Sequence, residues 1–78
     1  MRNKKSLRQD NVNRPKHYNF GKIEVIDFID QVTENYKHSL AYYIGNVIKY
    51  VSRAPIKNGI EDLKKAKWYL ERAINKWK

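Results

Sequence analysis

Two stretches with helical periodicity meet at a break that no helix can run through. In residues 42–68, YYIGNVIKYVSRAPIKNGIEDLKKAKW, Pro55 ends the first stretch near Arg53, because proline lacks the N–H that a helix interior needs, and Asn58-Gly59 supplies a turn. The segment therefore reads as two helices joined by a Pro/Gly-marked connection. On the first helix Asn46, Lys49 and Arg53 follow i, i+3, i+7 and share a face; on the second, Asn58, Asp62, Lys65, Tyr69 and Arg72 do the same. The apolar residues fall elsewhere, with Leu40, Ile44, Val47 and Val51 in one stripe and Leu63, Ala66, Leu70, Ala73, Ile74 and Trp77 in the other. Each helix is expected to bury one face and present a polar one. Folding back at the break places Asn46, Lys49, Arg53, Lys57, Asn58, Asp62 and Lys65 to converge near one turn, an arrangement suited to an anion.

The rest of the chain adds one shorter helix. In KIEVIDFIDQ, residues 22–31, the residues Ile23, Ile26 and Ile29, or Val25, Phe28 and Val32, lie on neighbouring apolar faces. Between them Glu24, Asp27 and Asp30 read as a solvated acidic face, since a hard cation needs more convergent oxygens than one helix offers. Residues 33–38, TENYKH, form a break, and Ser39 is placed to cap the second helix. Gly45 stands inside that helix at a cost of about 1 kcal/mol relative to Ala. Close packing of another helix at Gly45 is the ordinary offset, approach of a ligand to the backbone the alternative. Tyr42, Tyr43 and Tyr50 form an aromatic band of the kind more often found in cores and interfaces than in stacking platforms. Asn58 followed by Glu61 has the spacing of a capping box, which starts the third helix near Ile60. Its free N–H groups, flanked by Lys57 and Lys65 and faced by Lys49 and Arg53, form an anion site in their own right. A structural role competes with this one at two positions, because Asn58 can be occupied as a cap and Asp62 can complement the helix dipole.

The expected architecture is all-α: a small bundle of three helices, near 22–33, 39–53 and 59–76, with a flexible basic arm at 1–14 and a helical domain at 15–78. The arm has only Met1, Leu7 and Val12 as apolar anchors. In the lead-in PKHYNFG, Pro15 biases Arg14 towards extended backbone and Gly21 permits a turn; His17 and Tyr18 are either an aromatic flap over the core or an imidazole and phenol facing a phosphate or base. At 78 residues only about 60% of the unfolded chain's surface is buried on folding, so completion of the core by homo-oligomerisation is expected.

The net charge of +9 is unevenly placed. Residues 1–16 hold six Lys/Arg against Asp10, residues 17–56 hold four of each sign, and residues 57–78 hold seven basic against three acidic. Such a balance favours polyanionic or phosphorylated partners and also serves solubility, without choosing between nucleic acid, nucleotides and a membrane surface. No apolar run approaches the roughly 20 residues needed to span a bilayer, and no signal-peptide core follows the basic start, so a cytoplasmic protein is expected. With no cysteine and two lone His residues, neither a disulfide framework nor a zinc site is expected.

Read together, PKHY followed by IEVID, then GNVIKY, the 53–59 passage and EDLKKAKWYLER resemble small bacteriophage proteins of the domain-of-unknown-function 3310 family, over roughly residues 15–72. Some larger members of that family are phage nucleotide kinases. The resemblance implies a phage protein that binds or acts on nucleotides in the host cytoplasm, through His17, Tyr18, Asn46, Lys49, Arg53, Lys57, Asn58, Asp62 and Lys65. The chain lacks a GxxxxGK[ST] loop and an evident Mg2+ carboxylate pair, and a kinase would have to hold two nucleotides. Binding of one nucleotide, in its concrete form sequestration of a cyclic or signalling nucleotide of host defence, is therefore placed first. A nucleoside monophosphate kinase, with ATP and Mg2+ as its only implied cofactors, is the alternative. A nucleic-acid-binding protein using the basic arm is the third reading.

Overall fold

In the computed structural model the residues described are 19–78. The chain enters through a two-stranded antiparallel hairpin, β1 (Asn19–Phe20) and β2 (Ile23–Glu24), in which Asn19 faces Glu24 and Phe20 faces Ile23. Gly21, at φ 59°, makes the tight turn between them, a conformation that residues with a Cβ rarely adopt. Three helices follow: α1 (Val25–Thr33), α2 (His38–Arg53) and α3 (Ile60–Lys76), with a short 3-10 turn at Ala54–Ile56. This is the small all-α bundle that the periodicity predicts.

The first helix starts later than expected, because residues 22–24 belong to the hairpin turn and its second strand. Glu24 is extended, at φ −78° and ψ 129°, and forms the N-cap position of α1. Ser39 does not cap α2. The helix begins at His38, with Lys37 as its extended N-cap residue and no side-chain capping bond; the N–H groups of Leu40 and Ala41 both donate to the Lys37 carbonyl at 2.9 Å.

Helix α2 is central, with α1 packed on one side and α3 on the other. Gly45 is where α1 comes close: a Cβ built there would stand 3.2 Å from Cγ2 of Ile29 and 3.9 Å from Cγ2 of Thr33. Helix packing thus offsets the propensity cost of the glycine. The α2 helix ends at Arg53, as Pro55 demands. The Gly59 N–H donates to the Ala54 carbonyl at 2.8 Å and closes the connection, with Gly59 at φ 56°.

That glycine also displaces the expected capping box. Gly59 itself is the N-cap residue of α3 and offers no side chain, so Asp62, and not Glu61, stands at the third helical position. The Asp62 carboxylate reaches back to accept the Asn58 N–H at 3.2 Å, so the Asn58 backbone supplies a donor to the third helical position.

The buried residues are Val25, Leu40, Ala54, Ala66 and Ala73, together with Asp62. The stripe expected on α3 therefore divides. Ala66 and Ala73 are buried, while Leu63, Leu70, Ile74 and Trp77 stay exposed. The line that is covered is Asp62, Ala66, the half-buried Tyr69 and Ala73, at i, i+4, i+7 and i+11. On α2, Leu40 is buried, Ile44 and Val47 are half-buried, and Val51 is exposed.

Candidate functional site

The end of α2 and the start of α3 are tied by a buried carboxylate. Asp62 is fully buried and accepts from Nε–H of the largely buried Arg53 at 3.1 Å as well as from the Asn58 N–H. Burial alone would push the Asp62 carboxyl up. The Arg53 hydrogen bond, the Asn58 N–H and the guanidinium charge outweigh it, and the group is held below the ordinary carboxylate range. Its second oxygen, Oδ1, is buried with no hydrogen-bond partner among the described residues.

Next to this pair lies a cluster of rings. Tyr50 of α2 and Tyr69 of α3 stack with centroids 5.8 Å apart and planes 12° from parallel. Tyr69 also meets Tyr43 at 6.5 Å, Tyr42 edge-on at 6.0 Å, and Trp68 edge-on at 5.0 Å. A hydrogen bond with Tyr42, then burial, then the neighbouring phenols raise the Tyr69 pKa above its ordinary value, so its hydroxyl is neutral at pH 7.

Cations lie over these rings. Lys49 Nζ is 4.6 Å from the Tyr50 centroid, while the Arg53 guanidinium carbon and Lys65 Nζ are each 5.4 Å from it. Arg72 lies over Tyr43 at 5.6 Å and over Trp68 at 5.2 Å. The positions are dictated by helical spacing: 43 and 50 are two turns apart on α2, and 65, 69 and 72 recur every three to four residues on α3.

Of the residues singled out from the sequence, Lys49, Arg53 and Lys65 meet at Tyr50; Asp62 holds Arg53 and in turn accepts the Asn58 N–H. Asn46 is one turn before Lys49. Its Nδ2 donates to the Tyr42 carbonyl at 2.9 Å, and it shares a shallow, mostly apolar hollow with Tyr42, Gly45 and Lys49. Lys57 and Asn58 are exposed at the connection. His17 and Tyr18, like the arm expected at 1–14, lie outside the described residues. Tyr50, Tyr69, Trp68 and Arg72 join the site although the sequence did not mark them as binding residues. Their signal was the same periodicity that marked Lys49 and Lys65, but aromatic residues at that spacing more often fill a core.

An exposed cation–ring contact is worth about 0.5–1 kcal/mol, whereas a hydrogen bond to a charged group contributes about 1.5–3 kcal/mol. Lys49 and Lys65 are therefore held over Tyr50 less firmly than a hydrogen bond to an anion would hold them. Among the described residues no three of His, Asp and Glu gather as a metal site, and no helix is long and apolar enough to cross a membrane.

These features define a small helical protein with one face of interleaved rings and cations. The chain belongs to the family of proteins of unknown function DUF3310, which matches it over residues 12–71. No curated protein and no solved structure matches it.

Proposed function

We propose that the α2–α3 face binds a nucleotide, with Tyr50 and its neighbours against the base and Lys49, Arg53, Lys65 and Arg72 around the phosphates. The observation that carries this reading is the meeting of Lys49, Arg53 and Lys65 over one tyrosine ring, which pairs a planar apolar surface with positive charge. In the fuller form of the proposal this is a bacteriophage protein in the host cytoplasm that sequesters a nucleotide, such as a cyclic signal of host defence. Nucleoside monophosphate kinase activity is the second reading and rests on the family resemblance.

Titration calorimetry of the full chain with AMP, ATP and a cyclic dinucleotide, each without metal, tests the binding reading. Saturable heat with one of them and quenching of Trp68 fluorescence are expected. Silence with all three removes the reading. Formation of ADP from ATP and a nucleoside monophosphate in Mg2+ would put the kinase first.

A further inference from the structure

Apart from Trp68, which belongs to the ring cluster, the exposed apolar residues of α3 and its C-cap residue Trp77, whose ring meets Tyr36 edge-on, follow a stricter rule than the ones the helix buries. Ile60, Leu63, Leu70, Ile74 and Trp77 fall on the alternating spacing of three and four that defines a coiled-coil seam, with Lys67 as its one polar member. They are 62%, 44%, 44%, 64% and 65% exposed. Nothing in the helix itself needs that pattern, and the buried line of Asp62, Ala66, Tyr69 and Ala73 lies on a neighbouring face. At its C-terminal end the seam opens into an apolar groove whose walls include Tyr36, Leu40 and Ile44 as well as Leu70, Ile74 and Trp77.

We infer that this seam is closed by α3 of a second copy of the chain, running antiparallel about a two-fold axis near its middle. Three observations select this occupant. The seam is self-complementary in reverse, since antiparallel alignment sets Ile60 against Trp77 of the second copy, Leu63 against Ile74, and Lys67 beside Leu70. The flanking charges agree: Lys64 and Glu71 occupy equivalent flanking positions, so each meets its opposite across the axis. A parallel pair would instead place Lys67 against itself. Finally, covering these side chains in both copies buries on the order of 1,000 Å2, the lower bound for a specific interface. Extension into the Leu40–Ile44 groove adds to that area.

The seam and the aromatic–cationic face lie on opposite sides of the buried line of α3. Pairing through the seam leaves Tyr50, Lys65 and Arg72 accessible, and the dimer stands or falls independently of nucleotide binding.

Because the chain has no cysteine, the pairing is directly testable by thiol placement in the full-length protein. Light scattering at micromolar concentration should give about twice the 9.4 kDa chain mass. Ile74→Glu, at an exposed position, should return it to the chain mass with its helical circular dichroism unchanged. Mixing Ile60→Cys with Trp77→Cys under oxidation should give the mixed disulfide, while each variant alone should stay uncrosslinked, its two thiols being about 25 Å apart at 1.5 Å per residue. A monomeric unaltered chain, a dimer indifferent to Ile74→Glu, absence of the mixed disulfide, or cross-linking of Ile60→Cys with itself each overturns the inference.

Discussion

Asp62 and Arg53 act as one unit, and this changes which substitutions report on ligand binding. Removing Arg53 strips the buried carboxylate of its cation, so Arg53→Ala should lower the melting temperature of the ligand-free protein, and Asp62→Asn should do the same. Neither isolates the phosphate contact. Lys49→Ala does, because its side chain joins the site without pairing the helices; Tyr50→Leu tests the ring but also removes its stack on Tyr69, so its melting is read beside its affinity. Tyr50→Leu should weaken nucleotide binding by about 1–3 kcal/mol, the range for a base–aromatic stack. Lys49→Ala should cost about 1.5–3 kcal/mol. Lys64 is the control for affinity: it is exposed, lies off the α2–α3 face, and its 3.9 Å pair with Glu61 is worth about 0–1 kcal/mol, so Lys64→Ala should leave nucleotide affinity nearly unchanged. Calorimetry and thermal melts on the five variants separate the two roles. Equal affinity in a folded Tyr50→Leu protein would remove the rings from the site.

The same carboxylate gives the stability a pH dependence of known sign. Its pKa is lower in the folded state than in the unfolded one, so its contribution is complete above the unfolded value near 3.9 and is lost as pH falls through the folded value. Melting temperature should decline below about pH 4, and the decline should be shallower in Asp62→Asn. Identical slopes in the two proteins would show that Asp62 is not the titrating group.

Among the elements, α2 is the one that both neighbours need. Its contact with α1 depends on the missing side chain at Gly45, where Ala would gain about 1 kcal/mol of helix propensity and press lightly on the Ile29 methyl. Gly45→Ala should therefore stay within about 1 kcal/mol of the unaltered chain, while Gly45→Val should destabilise it by about 1–3 kcal/mol through overpacking. Urea titration followed by circular dichroism distinguishes them. A Gly45→Val protein as stable as the parent would mean that α1 can move away freely.

For the whole molecule, the cations that the α2–α3 face carries make a prediction of their own. A nucleic-acid binder should depend on the six Lys/Arg of residues 1–16, whereas the α2–α3 face carries its own cations. Deleting residues 1–13 should leave nucleotide affinity unchanged, measured by calorimetry against the full chain. Loss of binding on deletion would move the site away from the helices.

What the residues determined unaided was local: three helices from their periodicity, the stop at Pro55, the turn at Gly21, and the tight approach at Gly45. The helices depend on the spacing of apolar side chains, and the other three on φ, on a missing N–H or on a missing Cβ, all of which are local to the chain. The cap at α3 was not legible, because only the folded connection shows that Gly59 takes the cap position and hands the reciprocal bond to Asp62. Nor was the division of the α3 stripe. Periodicity names a face about 100° wide, and packing against α2 chooses the part of it that is covered. That choice set Ala66 and Ala73 inward with Asp62, left Leu63, Leu70, Ile74 and Trp77 outside, and brought Tyr50 and Tyr69 together beneath the cations.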